Sequence, residues 1–319
     1  MFNNRIKIIT LILGFLFFIQ NSVLMAQKNE MSIANAFLQL HKNSNLNAVE
    51  IVKLDFKTFH TQGMVKIDKH FFLSAVEVLE KTQTYAETDA IEDFSITRTA
   101  GKGRGWLFKF SERGNLISKL ELTHGDAYHP GGIDFDGKNI WVSVGEYRPN
   151  SKSNIYKIDP QKMTADLFFS VDDHIGNMVY NPMTDYFHGS SWGGRRLYRW
   201  KLDENGRKIS ESWHKNPSHY IDYQDCHYAG MGAMLCGGVQ TYQTPIGEFS
   251  LGGLELIDIS ADKVKILHQI PIAKYLSDGI VLSHNPFWAE VLNGKLKLYF
   301  MPERNGHADL HTFDIELVN

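Results

Sequence analysis

Between residues 46 and 319, apolar and polar positions alternate in short runs divided by turn residues, and one hairpin pattern recurs. His60-Thr-Gln-Gly63 opens a run that turns at Asp68-Lys69 and returns through 71–77. His129-Pro-Gly-Gly132 opens a second, turning at 136–138 and returning through 140–146. In both, Gly follows His by three positions and a Glu (Glu77, Glu146) follows Gly by fourteen. His174-Ile-Gly-Asn177 opens a third, with Asn181-Pro182 at its turn and a return ending at Ser191-Trp192. His227-Tyr-Ala-Gly230 opens a shorter fourth, returning through 234–240. Ser277-Asp-Gly279 opens a fifth without the His, returning through 297–303.

Alternating runs such as 154–159 and 197–202 follow the hairpins, so each unit reads as a hairpin plus two further strands. Units of that kind, roughly every 45–70 residues, are the pattern of a β-propeller blade. The chain is therefore predicted to be all-β, a propeller of five blades with six as the alternative. The last unit lacks a fourth strand, which the segment 48–55 supplies, closing the ring and removing two sheet edges. Residues 79–104 read as a loop. Residues 31–42, with Ile33, Ala34, Phe37, Leu38 and Leu40, read as a short helix lying on the propeller.

The first 26 residues stand apart. Arg5 and Lys7 precede an apolar stretch over 8–19, broken only by Thr10 and Gly14, and Leu24-Met25-Ala26 ends on a small residue. This is a secretory signal peptide, too short an apolar run for a spanning helix. Three segments follow: signal peptide 1–26, helical segment 27–45 and propeller catalytic domain 46–319. The product is expected to be secreted or periplasmic, with no membrane insertion after cleavage. A formal charge of -3 argues against a general nucleic-acid binder. Two cysteines exclude a disulfide scaffold and a cysteine-rich zinc module. Cys226 and Cys236 lie on opposing strands, as a bridge or as buried thiols.

Antiparallel geometry brings the start of each inner strand and the end of its neighbour to the same face. That face is expected to collect His60, His129, His174 and His227 around a channel, with Glu77, Glu146, Gln240 and Glu303 outside them. The loops 79–104, 147–153, 192–196, 241–252 and 304–307 add Tyr147, Arg148, Trp192, Arg195, Arg196, Tyr242 and His307. A single His at a strand start is as readily a hydrogen-bonding cap as a ligand; four at one repeat position suggest a site. Such imidazoles with a carboxylate suit a divalent metal (Zn, Mn or Ca), or, without metal, general acid and base.

Arginines that clamp an anionic group and aromatic rings that stack on a sugar complete the set for β-elimination from a uronic acid. The base is His129 or His174, and the proton donor His227 or Tyr147. Arg148, Arg195, Arg196, Trp192 and Glu146 would bind the substrate, an anionic oligosaccharide. The rivals are a metal-dependent hydrolase or lactonase using the His/Glu ring, and a non-catalytic lectin-like propeller. Other patterns exclude more than they suggest. Gly101-Lys-Gly-Arg-Gly105 lacks P-loop spacing and reads as loop. Ser190-Ser191 forms no nucleophile elbow. Asp134 and Asp136 read as hairpin-turn residues.

The stretch from His129-Pro-Gly-Gly-Ile-Asp-Phe-Asp-Gly137 to Glu146-Tyr-Arg-Pro-Asn-Ser151, with Asp173-His174-Ile-Gly176 and Trp192-Gly-Gly-Arg-Arg196, resembles a bacterial propeller family labelled as a domain of unknown function. The resemblance covers nearly all of the chain after the signal peptide. It is also similar to enzymes of marine bacteria that dehydrate the terminal uronic acid of ulvan oligosaccharides, and to propeller-type polysaccharide lyases. That likeness implies a carbon–oxygen lyase, and it transfers no catalytic residue by motif.

Overall fold

The computed structural model describes residues 31–84, 98–302 and 306–317. The expected signal peptide, positions 85–97 of the expected loop and Glu303 lie outside the described residues. The described residues form twenty strands and one short α-helix. The first antiparallel unit is β2 (His60–Ile67), β3 (His70–Glu80), β4 (Lys102–Ser111) and β5 (Leu116–Glu121), preceded in the chain by β1 (Asn47–Val52). The second is β6 (His129–Phe135), β7 (Ile140–Gly145), β8 (Ser153–Asp159) and β9 (Thr164–Val171). The third is β10 (Ile175–Asn181), β11 (Tyr186–Ser191), β12 (Arg196–Leu202) and β13 (Lys208–Lys215). The fourth is β14 (Asp222–Gly230), β15 (Ala233–Thr244), β16 (Gly247–Asp258) and β17 (Lys265–Ile272). The last is β18 (Phe287–Leu292), β19 (Lys295–Phe300) and β20 (Leu310–Glu316), with β1 antiparallel to β20 at its edge.

Each unit shares an apolar core with its neighbours. Val65 and Phe72 of the first meet Ile133 and Val142 of the second. Trp141 and Ile155 meet Met178 and Trp200, and Val179 and Leu197 meet Cys226 and Met234. Leu235 and Leu254 meet Phe287 and Leu298. Tyr299 and Leu310 of the last unit meet Met64 and Phe71 of the first. The helix α1 (Ile33–Leu38) starts where the Ser32 hydroxyl accepts the Asn35 amide at 3.1 Å, and it packs Ala34, Ala36 and Phe37 against the fourth and last units.

At the centre the inner strands approach backbone to backbone. A Cβ on Gly63 would lie 2.6 Å from the Gly132 Cα, and one on Gly131 only 2.2 Å from the Gly176 carbonyl oxygen. This is the physical content of the Gly three positions after His60 and after His129. The buried Asp225 carboxylate then ties three inner strands together. It accepts the Met64 amide of β2 at 2.9 Å and the Ile133 amide of β6 at 3.1 Å. His227 lies 3.3 Å from it, donates through the same Nε2 to the Phe287 carbonyl of β18 at 2.8 Å, and has Asp134 at 3.7 Å from Nδ1. Burial opposes a charge on His227, but Asp225 and Asp134 outweigh it and lift the imidazole to about 10.

Several expectations are corrected. His227 does not open the fourth inner strand: β14 starts at Asp222, so His227 lies well inside it, buried at the hub. The fifth hairpin begins at Phe287 rather than at 277, because 282–284 form a 3-10 turn. Residues 241–252 are not a loop, since β15 and β16 continue as a hairpin to Thr244 and Gly247. Gly101–Gly105 leads into β4, whose pairing to β3 also takes up both ends of the expected 79–104 loop. Asp136 caps its turn through the Lys138 and Asn139 amides, whereas Asp134 faces the hub and accepts the Tyr228 amide. Cys226 and Cys236 form a disulfide across the β14–β15 pair.

Because the folded His227 is raised above its ordinary value of 6.5, its charge stabilises the fold fully below the unfolded value and progressively less toward about 10. In urea unfolding across that range, wild type should exceed His227→Gln by most below pH 6.5, with the gap shrinking as pH rises. A gap independent of pH would show that His227 is neutral in the fold. Asp225→Ala should cost roughly 3–5 kcal/mol, since it leaves a buried cation unpaired.

Candidate functional site

The first residue of β2 and of β6, and the residue just before β10, are His60, His129 and His174. Pairing sets each beside the end of its neighbour: His60 opposite Val76, His129 opposite Gly145, and Ile175 opposite Ser191. All three imidazoles line one cavity of 170 Å³ with Tyr147, Trp192, Asp222 and Gln224. The ring centroids of His129 lie 6.5 Å from those of His60 and 6.1 Å from those of His174. An adjoining cavity of 680 Å³ runs from His60 and His129 over the first unit to Lys57, Phe59, Lys81, Arg98 and Tyr128.

The mouth is built as an aromatic layer. Tyr147 stacks flat on His129 at 4.2 Å, and Trp192 meets the edge of His174 at 4.9 Å and Tyr147 at 5.1 Å. Trp192 gets its place from a tight turn in which Gly193 and Gly194 take positive φ. His174 is held from two sides. Its Nδ1 lies 2.8 Å from the Glu146 carbonyl, an acceptor only, so Nδ1 carries the proton and Nε2 is the basic nitrogen. Its backbone amide donates to Asp173, which also receives the Asn150 amide, Arg196 and the Tyr198 hydroxyl.

Burial, with His174 and His60 nearby, holds His129 well below the ordinary imidazole range. Burial lowers His174 as well, outweighing the Glu146 carbonyl and Asp173, with Arg98 adding to the effect. Both rings are therefore neutral bases at pH 7. Burial lifts the Asp222 carboxyl above its ordinary range despite Arg195 and His219. A neutral base and a carboxyl raised above its ordinary range thus share one cavity, two groups whose surroundings shift them in opposite directions.

The sequence-based set divides. His60, His129, His174, Tyr147 and Trp192 come together, and His227 does not, so the four-imidazole ring is three imidazoles and Asp222. Among the described residues no three His, Cys, Asp or Glu side chains are placed to hold a metal ion. The expected substrate arginines are engaged within the chain. Arg148 pairs with the Glu146 carboxylate at 2.6 Å. Arg195 bonds the Gly193 and Ser218 carbonyls and Asp222. Arg196 holds Asp173 at 2.7 Å and Asn150.

Sequence reasoning missed Asp222 and Arg98. Asp222-Tyr-Gln-Asp225 repeats the spacing and the Gln of His60-Thr-Gln-Gly63, a signal hidden by His227-x-x-Gly230 five residues later. Arg98 had no motif to mark it. Its guanidinium lies 4.9 Å from the Trp192 ring and 5.7 Å from the Tyr147 ring. Its Nε is buried without an acceptor among the described residues, a state that costs on the order of 1–3 kcal/mol until something accepts from it.

No curated protein matches the sequence. Solved structures of similar shape include a luciferin-regenerating enzyme, 11% identical with a TM-score of 0.46 over 85% of this chain and 98% of that one. A thermostable family-43 glycoside hydrolase is 10% identical, with a TM-score of 0.47 over 86% of this chain and 96% of that one. The periplasmic gluconolactonase of Pseudomonas aeruginosa is 10% identical, with a TM-score of 0.36 over 80% and 86%. Likeness at this level carries no argument about activity. The sequence itself matches a family model along almost its whole length, over residues 23–319, and the chain belongs to DUF6454, a family of unknown function.

Proposed function

We propose that this chain is an exported five-bladed propeller enzyme, its ring closed by β1, that catalyses β-elimination at a uronic acid of an anionic oligosaccharide. The blade count is supported by five groups of four antiparallel strands, two of them joined by one parallel bridge between β6 and β10, and by apolar cores that run from each group to the next and from the last to the first. The uronate assignment rests on chemistry and keeps the likeness to ulvan oligosaccharide dehydratases and propeller-type lyases. The observation that carries the activity is the His174 tautomer: Nδ1 is committed to the Glu146 carbonyl, which leaves Nε2 as a fixed acceptor in the cavity.

In this reading His174 takes the proton alpha to the uronate carboxylate. The electrons of that C–H bond form the C4=C5 double bond as the C4–O bond breaks. Asp222, in the position expected of His227, returns a proton to the departing oxygen, so water or a sugar leaves with no oxidant involved. His129 and Tyr147 form the stacked wall that keeps water from the base, and Trp192 offers a face to the sugar ring. Asp173, with Arg196 behind it, positions His174 rather than reacting itself.

His174→Ala should lower kcat by about 10²–10⁴-fold with KM little changed, the mark of a group acting in the transition state. Incubation with uronate oligosaccharides, followed by the ultraviolet absorbance of the new conjugated double bond, gives the rate. Binding without any such product would leave the lectin-like reading. Because burial lowers His174, the acidic limb of kcat/KM should lie below the ordinary imidazole value of 6.5. A limb at or above that value would remove His174 as the base.

A further inference from the structure

We propose that Arg98 is the anion receptor of this site, and that the ligand is an acidic oligosaccharide running from the channel mouth over the first unit toward Lys57 and Lys81. The inference rests on the reading of the mouth as an anionic-sugar site and adds the residue that recognises the charge and the direction of the chain. Three observations meet here. The arginines at the mouth that are nearest in sequence to the histidines are each bonded within the chain. Arg98 instead lies across Trp192 and Tyr147 and keeps a buried Nε without an acceptor among the described residues. The larger cavity that Arg98 lines also carries Lys57, Lys81, Phe59, Tyr128 and Tyr147.

The one carboxylate lining that cavity among the described residues, Glu77, is engaged through its Oε2. It accepts from the Trp106 ring nitrogen at 3.3 Å and lies 3.7 Å from Arg104. Lys57 and Lys81 have no carboxylate at ion-pair distance among the described residues; the Lys57 ammonium lies 4.8 Å from the Phe59 ring. A guanidinium is a planar fork of N–H donors, the geometry that receives a carboxylate in two parallel bonds. A cavity of 680 Å³ lies within the range that encloses a ligand larger than one sugar ring. Phe59, Tyr128 and Tyr147 give the same cavity an aromatic lining, while the two lysines act at longer range on further carboxylates.

The test is equilibrium binding of trigalacturonate, monomeric galacturonate and neutral maltotriose, followed by tryptophan fluorescence at low salt. Trigalacturonate should bind at least roughly tenfold more tightly than the monomer, and maltotriose weakly or not at all. Arg98→Gln should weaken both acidic ligands by roughly tenfold or more, with Arg98→Lys intermediate because it keeps the charge and loses the fork. Lys57→Ala with Lys81→Ala should bring the trimer toward the monomer and leave the monomer unchanged. Melting curves establish that the variants fold; should Arg98→Gln not fold, Arg98→Lys and the wild-type preference for trigalacturonate over maltotriose decide. Equal affinity for maltotriose, no binding of trigalacturonate, or unaltered binding by a folded Arg98 variant would overturn the proposal. Tight, Arg98-dependent binding with no elimination product would retain the receptor and sink the lyase reading. Turnover indifferent to Arg98 would do the reverse.

Discussion

The buried carboxylate of Asp225 is the interaction on which the arrangement of inner strands depends. One side chain satisfies amides from β2 and β6 and meets the imidazolium of its own strand, which in turn reaches β18. Such a cluster adds little stability for its own sake, because removing the ions from water costs as much as their attraction returns. Its effect is geometric. Strands that approach within backbone contact, as Gly63 and Gly132 do, leave no room for side chains between them. Polar groups exposed there would go unsatisfied without an acceptor common to several strands.

Once the inner strands are held at the centre, the mouth follows. Residues at the strand starts come within a few ångströms of one another, although they are far apart in sequence, and the loops beyond the paired strands lay Tyr147 and Trp192 over them. Hydroxyls assist at the same level: Ser74 donates to the Gly131 carbonyl at 2.7 Å and Ser143 to that of Ile175 at 2.6 Å. His60 and His129 are therefore carried by paired strands and His174 directly precedes one, which suits groups that must keep one orientation.

Histidine serves two opposite purposes in this chain, and neighbours alone decide which. His227 is enclosed between Asp225 and Asp134, and their charges keep it protonated. His129 and His174 are buried as deeply, but burial prevails there, and their nearest ionisable neighbours include other imidazoles and Arg98. The first case is a structural cation, the second a pair of neutral bases. The cations at the mouth are sorted in the same way. Arg195 and Arg196 hold loops in place through Asp222 and Asp173, while Arg98 lies near aromatic rings with an N–H that has no acceptor among the described residues.

Sequence by itself determined what local periodicity and turn chemistry can encode. Alternation placed the strands, Asp68-Lys69 and Asp136 marked their turns, and the unpaired last unit called for a strand near 48–55, which is β1 against β20. The spacing of His60, His129 and His174 from their Gly or Asn located the mouth, because each repeat uses the same contact at the centre. Tertiary structure alone decided the register of the fourth unit. His227-x-x-Gly230 imitates the repeat, and only the pairing of Asp222 with Val239, with Asp225 bonded to an amide 161 positions away, shows that Asp222 is the strand start. It also decided the fate of each arginine, since a guanidinium's role depends on which carboxylate the fold brings beside it. That partner lies 27 residues off for Arg195 and 23 for Arg196, beyond the reach of any local pattern.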